Sequence, residues 1–344
     1  MIRTVAGSKK RTNVRWLLAL LLAGLAVWLS VRQVRWSQLT ALLAGARMSL
    51  LALALLAVLA TTAVKAIRWH ALLPAATPQV RLPRVLRVLF IGQMANTFLP
   101  RLGDIVRTIL LGPRATGGMP AVLGTVLVEK ALDGVMGLLV LAGLALWTPL
   151  PTWLRAPLLG LLALTAGLLL MVAWASVDRS RFDPLWHRLA RRLPAPICGR
   201  IEQLVTSFLQ GLGLFRSPSR ALVALGLSSG IWILAMLTNV VVLSALKIEA
   251  PAWSAWLVVA TGYAATFLPT VPAQIGVFEY AAVLSLQAAD VAPEPALAFA
   301  LVLHLLVQGP PAFLGPIFMA VEGLDWGKLR AAQREGMEGD GVLE

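Results

Sequence analysis

The chain is 344 residues long, 58% hydrophobic and only 13% charged, with a mean hydropathy of +0.80; water-soluble domains run about half apolar and about a quarter charged. A soluble fold is excluded on that ground, and a single cysteine, Cys198, excludes a disulfide framework or a thiolate metal site. The formal charge of +14 raises nucleic acid as a partner, and its distribution along the chain decides against it.

In chain order, six nearly uncharged stretches are long enough to cross about 30 Å of hydrocarbon as helix: Val14–Val31, Ser49–Ala66, Met119–Trp147, Ala156–Ser176, Ala221–Leu246 and Pro295–Ala320. Short alternating segments of the β-barrel kind are absent from the sequence. The first stretch follows a basic start, as a secretory signal does, but Arg32 and Arg35 come directly after it without a small-residue cleavage site. It reads as an anchor that stays. Lys and Arg alternate between the intervening segments. The N-terminus carries five, the segment Lys65–Arg114 eight, Arg179–Arg220 eight and the tail three, against three in Arg32–Arg47, then Arg155 and Lys247 alone. Setting aside Lys130 inside a span, 24 lie on one face and 5 on the other. Positive residues stay cytoplasmic, so both termini are expected in the cytoplasm, the protein in the cytoplasmic membrane, and the charge against anionic headgroups rather than nucleic acid. Trp16, Trp69, Trp147, Trp153, Trp253 and Trp256 near span ends fit the interfacial preference of amphipathic rings.

Two stretches do not fit this count. "NTFLPRLGDIVR" from Asn96 and "ATFLPTVPAQIGVFE" from Ala265 both break an apolar run at Thr-Phe-Leu-Pro, 169 residues apart, and turn polar beyond it. A single crossing by either would invert every later loop and erase the charge asymmetry. Each is therefore expected to enter and leave on one side, the first from the cytoplasm and the second from outside. Non-helical backbone at membrane depth is tolerated when buried in protein or lining a wet cavity. Two such broken segments with opposite entry sides are the mark of an inverted repeat around a midplane site. The fold expected is an all-α polytopic membrane protein of about six spans plus two re-entrant helical hairpins. Residues 1–322 would form one membrane domain, with repeat halves near 1–148 and 156–322, a basic cytoplasmic loop over 177–219 and a disordered tail over 323–344. In that loop "PLWHRLARRL" sets Leu185, Leu189 and Leu193 opposite Arg188, Arg191 and Arg192, an amphipathic helix for the inner leaflet.

Three constellations are candidates for chemistry. After Pro100, Arg101, Asp104 and Arg107 recur at i, i+3 and i+6. Gly103 allows close backbone approach, Asp104 complements a helix N-terminus, and two guanidiniums offer bidentate phosphate contacts; Asn96 lies just before the break. The plain alternative is a charged interfacial helix. Next, Glu129, Lys130 and Asp133 sit in the middle of "VLGTVLVEKALDGVMGLLVL". Glu129 and Asp133 share a face, and Lys130 reaches Asp133 at i+3. Each charge at the bilayer centre costs ~2.5–3.5 kcal/mol even on insertion scales, so the three face a bundle interior. A cation from a hairpin would complete the network, which is either structural or functional. Third, Gln274, Gly276 and Glu279 follow the second break at Pro269 and Pro272. Glu279, otherwise in apolar company, suits a group that gains and loses a proton, and His304 with Gln308 one turn later faces the same space, although a lone histidine in an apolar span is more often a packing residue. Among nucleotide and metal signatures, no P-loop and no H-E-x-x-H occurs, and three scattered histidines (His70, His187, His304) make no zinc set. No metal or cofactor is expected.

In the stretches "NTFLPRLGDIVR", "VLVEKALDG" and "FLPTVPAQIGVFE" the chain resembles the flippase-like transmembrane region of lysylphosphatidylglycerol synthases and its stand-alone relatives, in order and spacing and over nearly the whole length. The resemblance assigns Asn96, Pro100, Arg101, Gly103, Asp104 and Arg107 to the first motif, Glu129 and Asp133 to the second, and Gly276 and Glu279 to the third. The chain departs from the pattern where many relatives have a glycine between Pro100 and Arg101, a Glu in place of Asp104, and Gly-Gly in place of Ala273-Gln274. The synthases' cytosolic aminoacyl-transferase domain has no counterpart in this sequence, so lysyl transfer is not implied.

Together these readings imply a lipid translocase rather than an enzyme. It would move an anionic or polyprenyl-phosphate-linked lipid between leaflets, with Asn96, Arg101, Asp104, Arg107 and Gln274 toward substrate, and Glu129, Lys130, Asp133, Glu279 and His304 as intramembrane charges for coupling. Pro100, Gly103, Pro269, Pro272 and Gly276 would act as hinges. Membrane lipids are the expected partners, and a homo-oligomer is compatible with the sequence. The alternatives are a membrane transferase or hydrolase acting on a lipid phosphate through the Glu129/Asp133 pair, and a non-transporting scaffold working through its basic loops.

Overall fold

A computed structural model describes residues 24–32, 34–73, 80–98, 102–115, 118–147, 152–154, 218–266 and 272–324, with isolated helical positions between 159 and 167. Pro100, Arg101 and Pro269, the loop helix with Arg188, Arg191 and Arg192, and the tail beyond Leu324 lie outside the described residues. Every regular element among the described residues is helical, which is what hydrocarbon demands of a chain that must satisfy its backbone within each segment. They are α1 (residues 24–31), α2 (Trp36–Ala44), α3 (Met48–Leu72), α4 (Leu82–Phe98), α5 (Leu102–Leu111), α6 (Gly118–Trp147), α7 (Pro218–Ala245), α8 (Ala252–Ala265), α9 (Val277–Gln287) and α10 (Pro293–Val321).

The helices α3, α7 and α10 are long and apolar enough to cross a membrane. α6 is longer, at 30 residues, and differs by carrying Glu129, Lys130 and Asp133 in its middle. At 1.5 Å per residue these four helices extend roughly 37–45 Å. Large apolar side chains remain open on their outer faces, among them Leu56 at 62%, Leu222 at 69% and Phe313 at 73% exposure. In a folded chain, faces of this kind meet lipid or a partner rather than water. Four of the six expected spans thus correspond to long helices. The second runs past its expected end at Ala66 to Leu72, with consequences for the site below.

Each Thr-Phe-Leu-Pro stretch is flanked by a pair of short helices among the described residues, α4 with α5 and α8 with α9. α4 and α5 lie against each other, as do α8 and α9. With 17, 10, 14 and 11 residues, each arm is shorter than the ~20 residues a crossing requires. The first hairpin closes at Gly92 and Gly103, where a Cβ on Gly103 would run into the Gly92 carbonyl and the Asn96 side chain. Only glycine fits there. Asn96 Oδ1 secures the turn by accepting the Gly103 N–H at 2.7 Å, so the asparagine before the break organises the hairpin as well as facing the interior. In the second hairpin a 3₁₀ turn, Pro272–Gln274, leads to Gly276 at φ 85°. The Glu279 carboxylate accepts the Gly276 N–H at 2.7 Å, and Thr261 and Ser285 share a hydroxyl contact of 2.7 Å between the arms. Ala273 and Gln274 take φ of 57° and 59°, a left-handed conformation that costs a residue with a Cβ about 1–2 kcal/mol.

α3 packs along α7, and α10 packs against α4 and α9. One apolar core joins α7, α9 and α10 around Val242, Leu286, Phe299 and Leu303; a second joins α4, α5 and α10 around Ile91, Met94, Val106 and Met319. α10 contains Pro310, Pro311 and Pro316, and its Gly315 lies against Met94 closely enough that a Cβ would overlap that side chain.

Candidate functional site

The charges in the middle of α6 are brought together with two arginines from other helices. Arg68, near the end of α3 and completely buried, donates from Nη1 to Asp133 Oδ1 at 2.6 Å and to the Ser228 hydroxyl at 2.9 Å. Its Nη2 reaches Asp133 Oδ2 at 3.2 Å and Glu129 Oε1 at 3.3 Å. Arg107 of α5 donates to Glu129 Oε2 at 2.7 Å, and its guanidinium lies 4.3 Å from the centre of the Trp69 ring. Two guanidiniums therefore hold two carboxylates across three helices, a charge-neutral cluster of short charge-assisted bonds. A hairpin cation does complete the α6 network, and it is Arg107. The i+3 contact expected of Lys130 does not form. Lys130 Nζ instead lies 3.5 Å from Asp104 Oδ2 on α5, because Asp133 is already engaged through both oxygens by Arg68. Asp104 thereby ties the hairpin to α6.

Sequence reading missed Arg68, counting it and Lys65 among cytoplasmic loop charges when both stand inside α3. The available signal was spacing: Lys65 and Arg68 follow an apolar run without any turn residue between them. With Arg107 they are three of the eight basic residues assigned to that loop, and all three face the interior.

A cavity of about 360 Å³ lies beside this cluster. The first hairpin contributes Gln93 and Asn96, the second contributes Tyr263, Thr266, Gln274 and Phe278, and Lys65, Asp133, Trp232 and Gln308 are also in the lining. Lys65 makes no hydrogen bond or ion pair among the described residues, so its ammonium is the cation free to meet a ligand there. Of the expected substrate residues, Asn96 and Gln274 line the cavity, Arg107 and Asp104 stand in the ion-pair framework, and Arg101 is outside the described residues. Glu279 and His304 also come together: His304 Nδ1 is 2.6 Å from Glu279 Oε1, and the His304 ring meets Phe278 edge-on at 5.1 Å between centres. His304 is therefore the partner of Glu279 rather than an isolated packing residue. Gln308, one turn on, reaches the Ala273 carbonyl at 3.5 Å, tying α10 to the second break. Among the described residues no cluster of three or more histidine, cysteine or acidic side chains that would hold a metal ion is found. The segment Gly226-Leu227-Ser228-Ser229-Gly230 has the spacing of a hydrolase nucleophile motif. It lies inside α7 rather than on a strand-to-helix turn, with Ser228 buried and donating to the Ala224 carbonyl at 2.8 Å.

Residues 16–315 match the family model described as the lysylphosphatidylglycerol synthase TM region. The chain belongs to that family. No curated protein and no solved structure matches it. Within the lysylphosphatidylglycerol synthase TM region family, the three stretches that carried the resemblance now have distinct physical jobs. The first builds the hairpin turn and supplies Arg107, the second supplies the carboxylates that Arg107 and Arg68 hold, and the third supplies the Gly276–Glu279–His304 contact. Membership supports a membrane protein with a lipid-related function.

Proposed function

We propose that this protein is a lipid translocase, moving an anionic or polyprenyl-phosphate-linked lipid between the leaflets of the cytoplasmic membrane, with both termini in the cytoplasm. The observation that carries this reading is the cavity itself. Two short hairpins, from distant parts of the chain, each contribute polar side chains to one space beside a buried ion-pair cluster, with Lys65 in its lining. Discontinuous helices around such a space are how many secondary transporters expose a midplane site alternately to each side. On this reading the hairpins are re-entrant halves of an inverted repeat, the headgroup phosphate meets Lys65 and the amides of Asn96 and Gln274, and the Glu279–His304 pair exchanges a proton as access alternates. The membrane potential supplies ~2.3 kcal/mol per charge per 100 mV.

The arrangement gives less support to a transferase or hydrolase. Glu129 is held by two arginines and Asp133 by one, which suits fixed counter-ions better than acid–base catalysts, and Ser228 is a buried helical hydroxyl. The test is a proteoliposome assay with a fluorescent phosphatidylglycerol and a membrane-impermeant quencher. Wild-type protein is expected to expose inner-leaflet label, with Lys65→Met and Glu279→Gln at least tenfold slower. Equal rates in protein-free liposomes would remove the proposal.

A further inference from the structure

A second space, apart from the cavity, opens where α4 begins and α10 ends. It is lined by Val80, Arg81, Pro83, Arg84, Arg87 and Arg114 and encloses about 600 Å³. Four arginines line it, and two of them hold one carboxylate. Glu322, at the end of α10, accepts from Arg84 Nη2 at 2.8 Å and from Arg87 Nε at 2.7 Å. Its own side chain is only 8% exposed, so it holds these two arginines from the protein side. Arg81 and Arg114 are exposed and have no ion pair among the described residues, and Arg84 Nε is buried without an acceptor among them. The groove therefore holds three more positive charges than negative ones, in a space large enough for a ligand.

We infer that this groove is a phosphate-binding site, taking the phosphoryl oxygens of a lipid headgroup or of free phosphate. The guanidinium fork matches two phosphate oxygens at once. Glu322 orients the forks of Arg84 and Arg87 while leaving the outer pair, Arg81 and Arg114, uncommitted. A lone carboxylate among four arginines also acts as a resident competitor that an arriving phosphate shares or displaces. Position gives the site a purpose. α4 begins at the groove and ends at the cavity, and Arg84 and Gln93 are nine residues apart on it, about 13 Å of helical rise. A phosphate held at the groove stands at the other end of α4 from the residues that line the cavity. The binding stands on its own geometry, whereas its role as the cavity's entrance rests on the translocation reading.

The experiment uses the full chain in phosphatidylcholine nanodiscs, titrated calorimetrically with short-chain phosphatidylglycerol and, separately, with inorganic phosphate. The double substitution Arg81→Gln/Arg114→Gln removes two exposed side chains without touching the core. It is expected to weaken binding of the anionic lipid about thirtyfold, in line with the near-surface worth of two basic residues. Glu322→Gln is expected to tighten binding severalfold. Arg47→Gln/Arg220→Gln, an equal charge loss elsewhere on the surface, is expected to leave binding unchanged. Binding of both probes, in competition, means that phosphate alone suffices; binding of the lipid alone means that its glycerol and chains are needed, and either result supports the site. Unchanged affinity in Arg81→Gln/Arg114→Gln, an equal loss in the surface control, or no binding by wild-type protein would overturn it. Absence of leaflet transfer by wild-type protein would remove the translocation reading and leave the measured groove affinity standing.

Discussion

Arg68 is the side chain whose loss the fold should feel most. It is completely buried and makes four contacts, two to Asp133, one to Glu129 and one to Ser228. With Arg107, Glu129 and Asp133 it forms a set of zero net charge, so Arg68→Met leaves one buried negative charge without compensation. Removing one partner of a buried pair costs about 3–5 kcal/mol, or roughly two to three and a half decades in the folding equilibrium at about 1.4 kcal/mol per decade. The second substitution in the cycle is diagnostic. In Arg68→Met/Asp133→Asn the remaining pair, Arg107 with Glu129, is balanced again, so the double variant is expected to be more stable than Arg68→Met alone by about 1–3 kcal/mol, the range of coupling for residues sharing one network. Unfolding in dodecylmaltoside–SDS mixed micelles, followed by tryptophan fluorescence, gives each free energy. A loss below about 1 kcal/mol in Arg68→Met, or strict additivity of the two substitutions, would refute the charge-balance reasoning.

Other expected outcomes follow from single contacts. Gly103→Ala forces the first hairpin apart and should cost about 1–3 kcal/mol in the same assay, as overpacking does, because the new methyl meets Gly92 backbone and Asn96. Gly276→Ala places a Cβ at φ 85° and should cost about 1–2 kcal/mol, whereas Ala273→Gly, at φ 57°, should be neutral or stabilising. Lys65→Met removes a cation that no carboxylate holds, so stability should stay within about 1 kcal/mol of wild type while leaflet transfer falls at least tenfold. Equal losses of stability and transfer would assign Lys65 a structural role instead.

Much of this architecture is legible in the sequence where a residue violates its surroundings. Glu129 and Asp133 interrupt an apolar run, and the repeated Thr-Phe-Leu-Pro interrupts two others; each violation marks an element that the fold then uses. Arg68 was invisible for the opposite reason. It ends an apolar span beside Lys65 and His70, where a basic residue is ordinary, and only the continuation of α3 to Leu72 turns it inward. Lys130 was given the wrong partner because helical spacing knows nothing of Arg68, which takes Asp133 first. The arginine groove depends on which helix ends meet, since Glu322 is more than 200 residues from Arg84, and spacing along the chain carries no trace of that.

The prolines of α10 add a property to the cavity wall. Pro310 and Pro311 have no amide hydrogen, so the carbonyls of Leu306 and Val307, four residues earlier, lose their usual helical donors. Val307 and Pro311 both border the cavity. On the translocation reading, main-chain oxygen left without its helical donor there would offer hydroxyl or ammonium groups of a passing headgroup an acceptor that only replacing the prolines themselves would remove.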